Sequence, residues 1–189
     1  MAPVSQPEII GSTQPTTPRK LHTGSVKNLI PHFIQTQYLS KRKHGSFEAY
    51  AMFVDLSGFT RMTETLMNKG TEGAERLSNI LNAIFEPMVR LVYAGGGEIP
   101  YFAGDAFTAV FPAARQTATG VIENAAGQLA SLRQVSEQFE EVEIKAKIGL
   151  SFGQVEWGIV GTQNLAFYFR GDAVEGCSEA QKRAIENDI

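Results

Sequence analysis

The 189-residue chain has few of the features that secreted, membrane-spanning or nucleic-acid-binding proteins need. Its single cysteine, Cys177, cannot form a disulfide within the chain, so we expect a cytoplasmic location. No apolar run is long enough to span a bilayer, and no signal-peptide pattern opens the sequence. A formal net charge of −3 gives no electrostatic reason to expect a nucleic-acid or membrane partner. The sequence therefore predicts a soluble protein with one substantial core.

Composition divides the chain into three predicted parts. Residues 1–24 are rich in Pro, Ser, Thr and Gln, which predicts a flexible tail. Residues 25–45 combine a short helical pattern, from Val26 to Leu39, with a basic run at 41–44 that we interpret as a solvated linker. Residues 46–189 carry most of the apolar material and are predicted to fold as one domain.

Within that domain, hydrophobic periodicity predicts alternating strands and helices. A nearly all-apolar run from Phe47 to Asp55 predicts a buried strand. Helical spacing predicts helices over Glu72–Tyr93, where Pro87 should kink or divide the helix, and over Ala113–Val135, with Ile122 among its core residues. Two hairpin strands are predicted over Glu98–Phe102 and Phe107–Phe111, and an alternating strand over Val142–Phe152. Two shorter strands, Val155–Val160 and Leu165–Phe169, and a last helix, Ala173–Ile185, follow. The order favours an α+β, ferredoxin-like βαββαβ sandwich with its helices on one sheet face.

Two aspartates stand where that topology brings chain segments together. Asp55 ends the first strand, and Asp105 lies at the tip of the predicted hairpin. Two such carboxylates repel each other unless a cation relieves them, and hard oxygen ligands favour Mg²⁺ or Mn²⁺. The turn that follows, Leu56 to Thr60, could hold phosphate oxygens on backbone N–H groups, with Gly58 allowing close approach. Taken alone, an aspartate at either position is more often a turn or cap residue than a metal ligand.

Sequence motifs around these residues resemble the class III adenylyl and guanylyl cyclases, and in particular the first half of the soluble adenylyl cyclases. Phe53 to Thr60 (FVDLSGFT) is similar to the family's first metal-binding signature. Gly96 to Phe107 is similar to its second metal-binding hairpin. Lys147 to Gly153 and Gly171 to Val174 are similar to two later family motifs. The resemblance identifies residues 46–189 as a nucleotidyl cyclase catalytic domain, and it implies that the family domain continues past Ile189.

The resemblance implies an adenylate cyclase that forms cyclic AMP and pyrophosphate from ATP, with two Mg²⁺ or Mn²⁺ ions at a dimer interface. Asp55 and Asp105 would be the catalytic, metal-binding residues, with the Leu56 carbonyl as a further metal ligand. Ser57, Gly58, Phe59 and Thr60 would contact the phosphates. GTP stays open as the alternative substrate, and both a homodimer and a pairing with a second cyclase domain stay open as assemblies.

The chain departs from the family pattern at several positions. The family's ribose-orienting Asn and charge-stabilising Arg correspond to Glu175 and Glu179, and its base-recognising Lys corresponds to Tyr101. We therefore expect this chain to supply the metal-binding half of the site, a partner domain to supply the Asn and Arg, and the isolated homodimer to be weak or inactive. Tyr101 and Ser178 also replace the pair that binds bicarbonate in the soluble enzymes, so bicarbonate control is not expected. The alternative is a catalytically silent nucleotide-binding or dimerisation module that regulates a partner cyclase domain.

Overall fold

The computed structural model describes residues 30–139 and 143–189. The predicted tail at 1–24 and the first positions of the predicted N-terminal helix lie outside these residues. The described elements, in chain order, are α1 (His32–Leu39), β1 (His44–Ser57), α2 (Phe59–Met67), α3 (Gly70–Ala94), β2 (Glu98–Ala103), β3 (Ala106–Pro112), α4 (Ala118–Gln138), β4 (Lys145–Val160), β5 (Ala166–Arg170) and α5 (Asp172–Arg183). None of the helices in the described part of the chain is long and apolar enough to cross a membrane.

The five strands form one antiparallel sheet in the order β2-β3-β1-β4-β5. Its first four strands have the β4-β1-β3-β2 order of a ferredoxin-like sandwich, so the predicted fold class is confirmed. β1 is central, because its nearly all-apolar sequence can be buried on both faces. β5 extends the sheet beyond β4.

Helices cover both faces of the sheet, so the prediction that they share one face is wrong. On one face α2, α3 and α4 pack on even-numbered β1 residues, including Met52, Val54 and Leu56. On the other face α1 and α5 pack on Ala49 and Ala51. This second layer was not predicted, because α1 is short and α5 is mostly polar. Each helix buries only a few side chains and so has a weak hydrophobic pattern.

β4 is one strand of 16 residues, whereas the sequence suggested a strand over Val142–Phe152 and a separate one over Val155–Val160. Ile148 faces the α2–α4 layer, but Phe152, predicted to lie in the core, is 51% exposed. Further along, the odd-numbered Val155 and Trp157 are buried against α1 and α5. The strand therefore changes its buried face midway, which a single alternating pattern cannot represent.

The helix boundaries also differ from the prediction. α4 begins at Ala118, not Ala113, because the Thr117 hydroxyl caps it by accepting a 3.2 Å hydrogen bond from the Gly120 N–H. Ile122, assigned to the core from its spacing, is 52% exposed. Pro87 does not divide α3, which runs unbroken from Gly70 to Ala94.

Candidate active site

The β1–β3 register brings the two aspartates to the same edge of the sheet. Asp55 pairs with Ala106 across the strands, and Asp105 directly precedes Ala106 in the hairpin loop. That loop has only two residues between the paired Ala103 and Ala106. Its first position is Gly104 at φ +66°, a conformation that glycine adopts without strain. The tight turn therefore keeps Asp105 close to the end of β1.

Electrostatics couple the two carboxyl groups. The pKa of Asp55 is raised, first by burial and then by the negative charge of Asp105. Two contacts act in the opposite direction on the same pKa: a hydrogen bond from Gln181 and the positive charge of Lys147, which is paired with Asp55 across β1 and β4. A carboxyl group whose proton affinity is raised by a neighbouring negative charge also attracts a divalent cation.

The turn after β1 presents backbone to solvent beside this pair. Ser57 ends the strand, Gly58 caps α2 with φ +93°, and α2 begins at Phe59. The first helical hydrogen bond runs from the Met62 N–H to the Gly58 carbonyl, so the preceding N–H groups have no partner within the helix. Gly58 and Thr60 are exposed, whereas the Phe59 side chain packs against the core. Leu56 is 3% exposed within β1.

A cleft of about 460 Å³ adjoins the same turn. Ser57, Gly58, Arg61, Lys145 and Glu186 are among its lining residues, whereas neither aspartate lines it. The Glu186 carboxylate pairs with the Lys145 ammonium at 2.9 Å. Its pKa is lowered by Lys145 and, to a smaller degree, by a hydrogen bond from Ser57. The Lys145 ammonium and the Ser57 hydroxyl therefore both lie beside the turn, in contact with the Glu186 carboxylate.

Sequence reasoning missed Gln181 and Lys145 as neighbours of the predicted site. Gln181 Nε2 donates a 2.7 Å hydrogen bond to Asp55 Oδ2 across 126 positions of the chain. Lys145 stands on β4 opposite Ser57. No motif in the sequence marks either residue, because each reaches the site through strand register or helix packing.

The positions that depart from the family pattern are partly or largely exposed. Glu175 and Glu179 are exposed on α5, and Glu179 forms an ion pair of 2.5 Å with Lys182. Ser178 is partly buried on the same helix. Tyr101 is 41% exposed on β2. None of these side chains belongs to either described core cluster.

Within residues 30–139 and 143–189, no group of three or more His, Cys, Asp or Glu side chains could form a metal cage. The donor set at the sheet edge is a pair of carboxylates with neighbouring backbone carbonyls. Mg²⁺ is commonly bound by one or two carboxylates together with waters and substrate phosphates. The residues present therefore fit a divalent cation that is shared with a phosphate ligand.

Comparisons with known proteins identify the family to which the chain is similar. The sequence model of the adenylate and guanylate cyclase catalytic domain matches residues 43–189. Mouse (Mus musculus) adenylate cyclase type 10 is 34% identical over 149 residues, which cover 76% of this chain and 9% of the mouse protein. The chain therefore spans less than a tenth of that relative.

Solved structures share the fold at lower sequence identity. The guanylyl cyclase Cya2 superimposes with a TM-score of 0.62 at 22% identity, covering 76% of this chain and 74% of that one. A class III adenylyl cyclase-like ATP-binding protein from Pseudomonas aeruginosa gives a TM-score of 0.65 at 18% identity, covering 75% and 32%. At sequence identities of 22% and 18%, these two structures show that the fold is shared.

Proposed function

The chain belongs to the adenylate and guanylate cyclase catalytic domain family, and from that premise we propose that it is the metal-binding half of an adenylate cyclase. In the reaction, the ribose 3′-oxygen of ATP bonds to the α-phosphorus, and pyrophosphate leaves as cyclic AMP forms. ATP is preferred over GTP because the relative at 34% identity is an adenylate cyclase. The product would serve intracellular signalling.

The observation that carries the proposal is the acidic pair at the sheet edge. Asp55 and Asp105 belong to two different strand ends, yet the charge of Asp105 raises the pKa of Asp55. Two unit charges about 4 Å apart repel by about 4 kcal/mol at an effective dielectric near 20. Divalent cations would relieve that repulsion, which gives a reason for the fold to hold the two carboxylates together.

In this proposal, Asp55 and Asp105 hold two Mg²⁺ or Mn²⁺ ions, with the Leu56 carbonyl as a further ligand. The ions, when bound, supply Lewis-acid activation of the 3′-hydroxyl and stabilise charge on the leaving pyrophosphate. The backbone of Ser57 to Thr60 binds phosphate oxygens with N–H groups that the helix leaves unpaired. Gly58 holds the positive φ at which β1 turns into α2, and its missing side chain leaves room for the Glu143 carbonyl oxygen, which a Cβ atom would approach to 2.3 Å.

A partner domain is required for the rest of the site. Glu175 and Glu179 are exposed acids at the positions where the family pattern has Asn and Arg. Acids there would repel a polyphosphate, and a missing arginine can lower phosphoryl-transfer rates by several orders of magnitude. A second cyclase domain that carries the Asn and Arg would complete one active site together with Asp55 and Asp105.

A complementation assay tests this proposal. The chain alone, supplied with ATP and Mg²⁺ or Mn²⁺, should give cyclic AMP close to background. The chain fused to a cyclase domain that has the Asn and Arg, but whose own metal-binding aspartates are replaced by Asn, should give clear turnover. Asp55→Ala or Asp105→Ala in this chain should abolish that turnover. Robust product from the chain alone would contradict the need for a partner.

The second candidate function is a silent module that binds nucleotide and regulates a partner cyclase domain. Glu175 and Glu179 favour it, and the similar fold of a protein described as ATP-binding and cyclase-like is compatible with it. Metal-dependent binding of an ATP analogue, without cyclic AMP from the fused pair, would favour this module over the cyclase.

A further inference from the structure

Gln181 connects α5 to the predicted metal site of its own chain. Its amide Nε2 lies 2.7 Å from Asp55 Oδ2 and donates a hydrogen bond to it. The Gln181 side chain is only 8% exposed, so this bond is shielded from competing water. The contact is therefore a defined link between the last helix and the first strand.

Close packing of α5 on β4 fixes the position of Gln181. A Cβ atom at Gly149 would lie 2.1 Å from the Cys177 carbonyl oxygen and 2.2 Å from the Gln181 backbone nitrogen. Four residues further along β4, a Cβ at Gly153 would lie 3.1 Å from Asp172 Cβ. The two glycines thus let the helix backbone rest directly on the strand beside β1. From there a glutamine side chain spans the distance to Asp55.

The two sides of α5 differ in exposure, and so in the surfaces that each can contact. Glu175 and Glu179 face solvent, at the positions from which the family pattern would serve a partner. Ala173, Cys177 and Gln181 are buried against the chain's own sheet. In the described part of the chain, the contact that this helix makes with the acidic pair is therefore made by Gln181.

We propose that Gln181 is a positioning residue that orients the Asp55 carboxylate for metal binding. This inference rests on the proposed function of Asp55. The amide takes one carboxylate oxygen as acceptor, which fixes the rotation of the carboxyl group and leaves the other oxygen for a cation. Because the amide is neutral, it does not cancel the negative charge that a cation needs, as a lysine or arginine at this position would. Partners of this kind orient metal ligands in many sites, and their loss typically costs 10–100-fold in metal affinity.

A Mn²⁺ titration of the whole chain tests the inference without requiring turnover. Electron paramagnetic resonance measures the ion that remains free. Gln181→Met keeps the length of the side chain and removes the donor, and Gln181→Leu is a second variant of the same kind. Cys177→Ala is the matched control, since Cys177 is fully buried on the same face of α5 and hydrogen bonds to the Val174 carbonyl, not to Asp55. Thermal melting establishes that each variant is folded.

We expect both Gln181 variants to bind Mn²⁺ at least about tenfold more weakly than the unmodified chain, and Cys177→Ala to bind it equally well. Equal affinity in the Gln181 variants, together with lost binding in Asp55→Asn, would overturn this inference and leave the proposed function standing. An unmodified chain without any Mn²⁺ affinity would overturn both. Unfolding of both Gln181 variants, with Cys177→Ala folded, would show that the residue has a structural role instead.

Discussion

Glu98, at the start of β2, accepts a 3.2 Å hydrogen bond from the backbone N–H of Phe33 in the first turn of α1. Glu98 is 9% exposed, and its second oxygen, Oε2, has no hydrogen-bond partner among residues 30–139 and 143–189. Burial raises the pKa of Glu98, while the backbone of His32 and Phe33 and the charges of His32 and Arg115 act to lower it. The carboxylate thus attaches α1 to the sheet at some cost from its own desolvation.

This burial predicts a pH-dependent stability. A carboxyl group whose pKa is higher in the folded than in the unfolded chain binds more protons when folded. The free energy of unfolding should therefore fall as the pH rises from about 4.5 through the higher folded pKa of Glu98. Glu98→Gln keeps an acceptor for the Phe33 N–H and removes the titrating charge, so it should flatten that decline. Urea denaturation at a series of pH values measures the effect.

Glu48→Gln is the control, because Glu48 is exposed on β1. The other titrating groups, including Tyr93 near Glu98, are the same in both variants, so the difference between the two pH profiles isolates the effect of Glu98. A Glu98→Gln profile that runs parallel to the unmodified one would show that this carboxyl group does not carry the dependence.

Gly58 and Gly70 provide a test of the turn beside the acidic pair. Both have positive φ, +93° and +68°, but only at Gly58 would a Cβ collide with backbone, 2.3 Å from the Glu143 carbonyl oxygen. Gly70→Ala should cost about 1–2 kcal/mol of stability from the left-handed conformation alone. Gly58→Ala should cost more and should also displace the turn that we propose as the phosphate site.

Chemical denaturation gives both stability changes, and turnover of the fused pair gives the effect on activity. We expect Gly58→Ala to lose activity under conditions in which it is still folded, and Gly70→Ala to keep it. The same loss of stability and activity in both variants would mean that the contact with Glu143 has no special importance.

Cys177 should be unreactive in the folded chain. It is fully buried on α5, and burial raises the pKa of its thiol to about 11. At pH 8 the thiolate fraction should be on the order of a hundredfold below that of a free cysteine, in addition to the steric protection. Ellman's reagent should react slowly with the native chain. In denaturant it should react rapidly, with one thiol per chain.

A double variant, Cys177→Ala with Glu179→Cys, gives the matched exposed thiol on the same helix. It should react rapidly without denaturant. Rapid reaction of Cys177 itself in the native chain would indicate that α5 leaves the sheet, which would also weaken the case for Gln181.

The sequence was sufficient for the features that depend on local pattern. The apolar run of β1, the hairpin around Gly104 and the helical spacing of α3 each indicated an element that the structure contains. These signals also led to the ferredoxin-like fold class, because few topologies accommodate that order of elements. The positions of Asp55 and Asp105 followed from the same motifs.

The features that failed depend on contacts between distant segments. β4 changes its buried face between Ile148 and Val155, because different helices cover its two ends. The link from Gln181 to Asp55 depends on how α5 rests on Gly149, which no local periodicity encodes. The contact of Glu98 was not predicted from the sequence, because its partner Phe33 lies in a helix 65 positions earlier.

The central claim is that Asp55 and Asp105 act as one divalent-cation site. A Mn²⁺ titration of the unmodified chain, Asp55→Asn, Asp105→Asn and the double variant tests it most directly, with Asp172→Asn as a control for an exposed aspartate. We predict that each single variant loses most of the affinity, that the double variant is little worse than either, and that the control binds normally. Affinity that is unchanged in Asp55→Asn or Asp105→Asn would contradict the account.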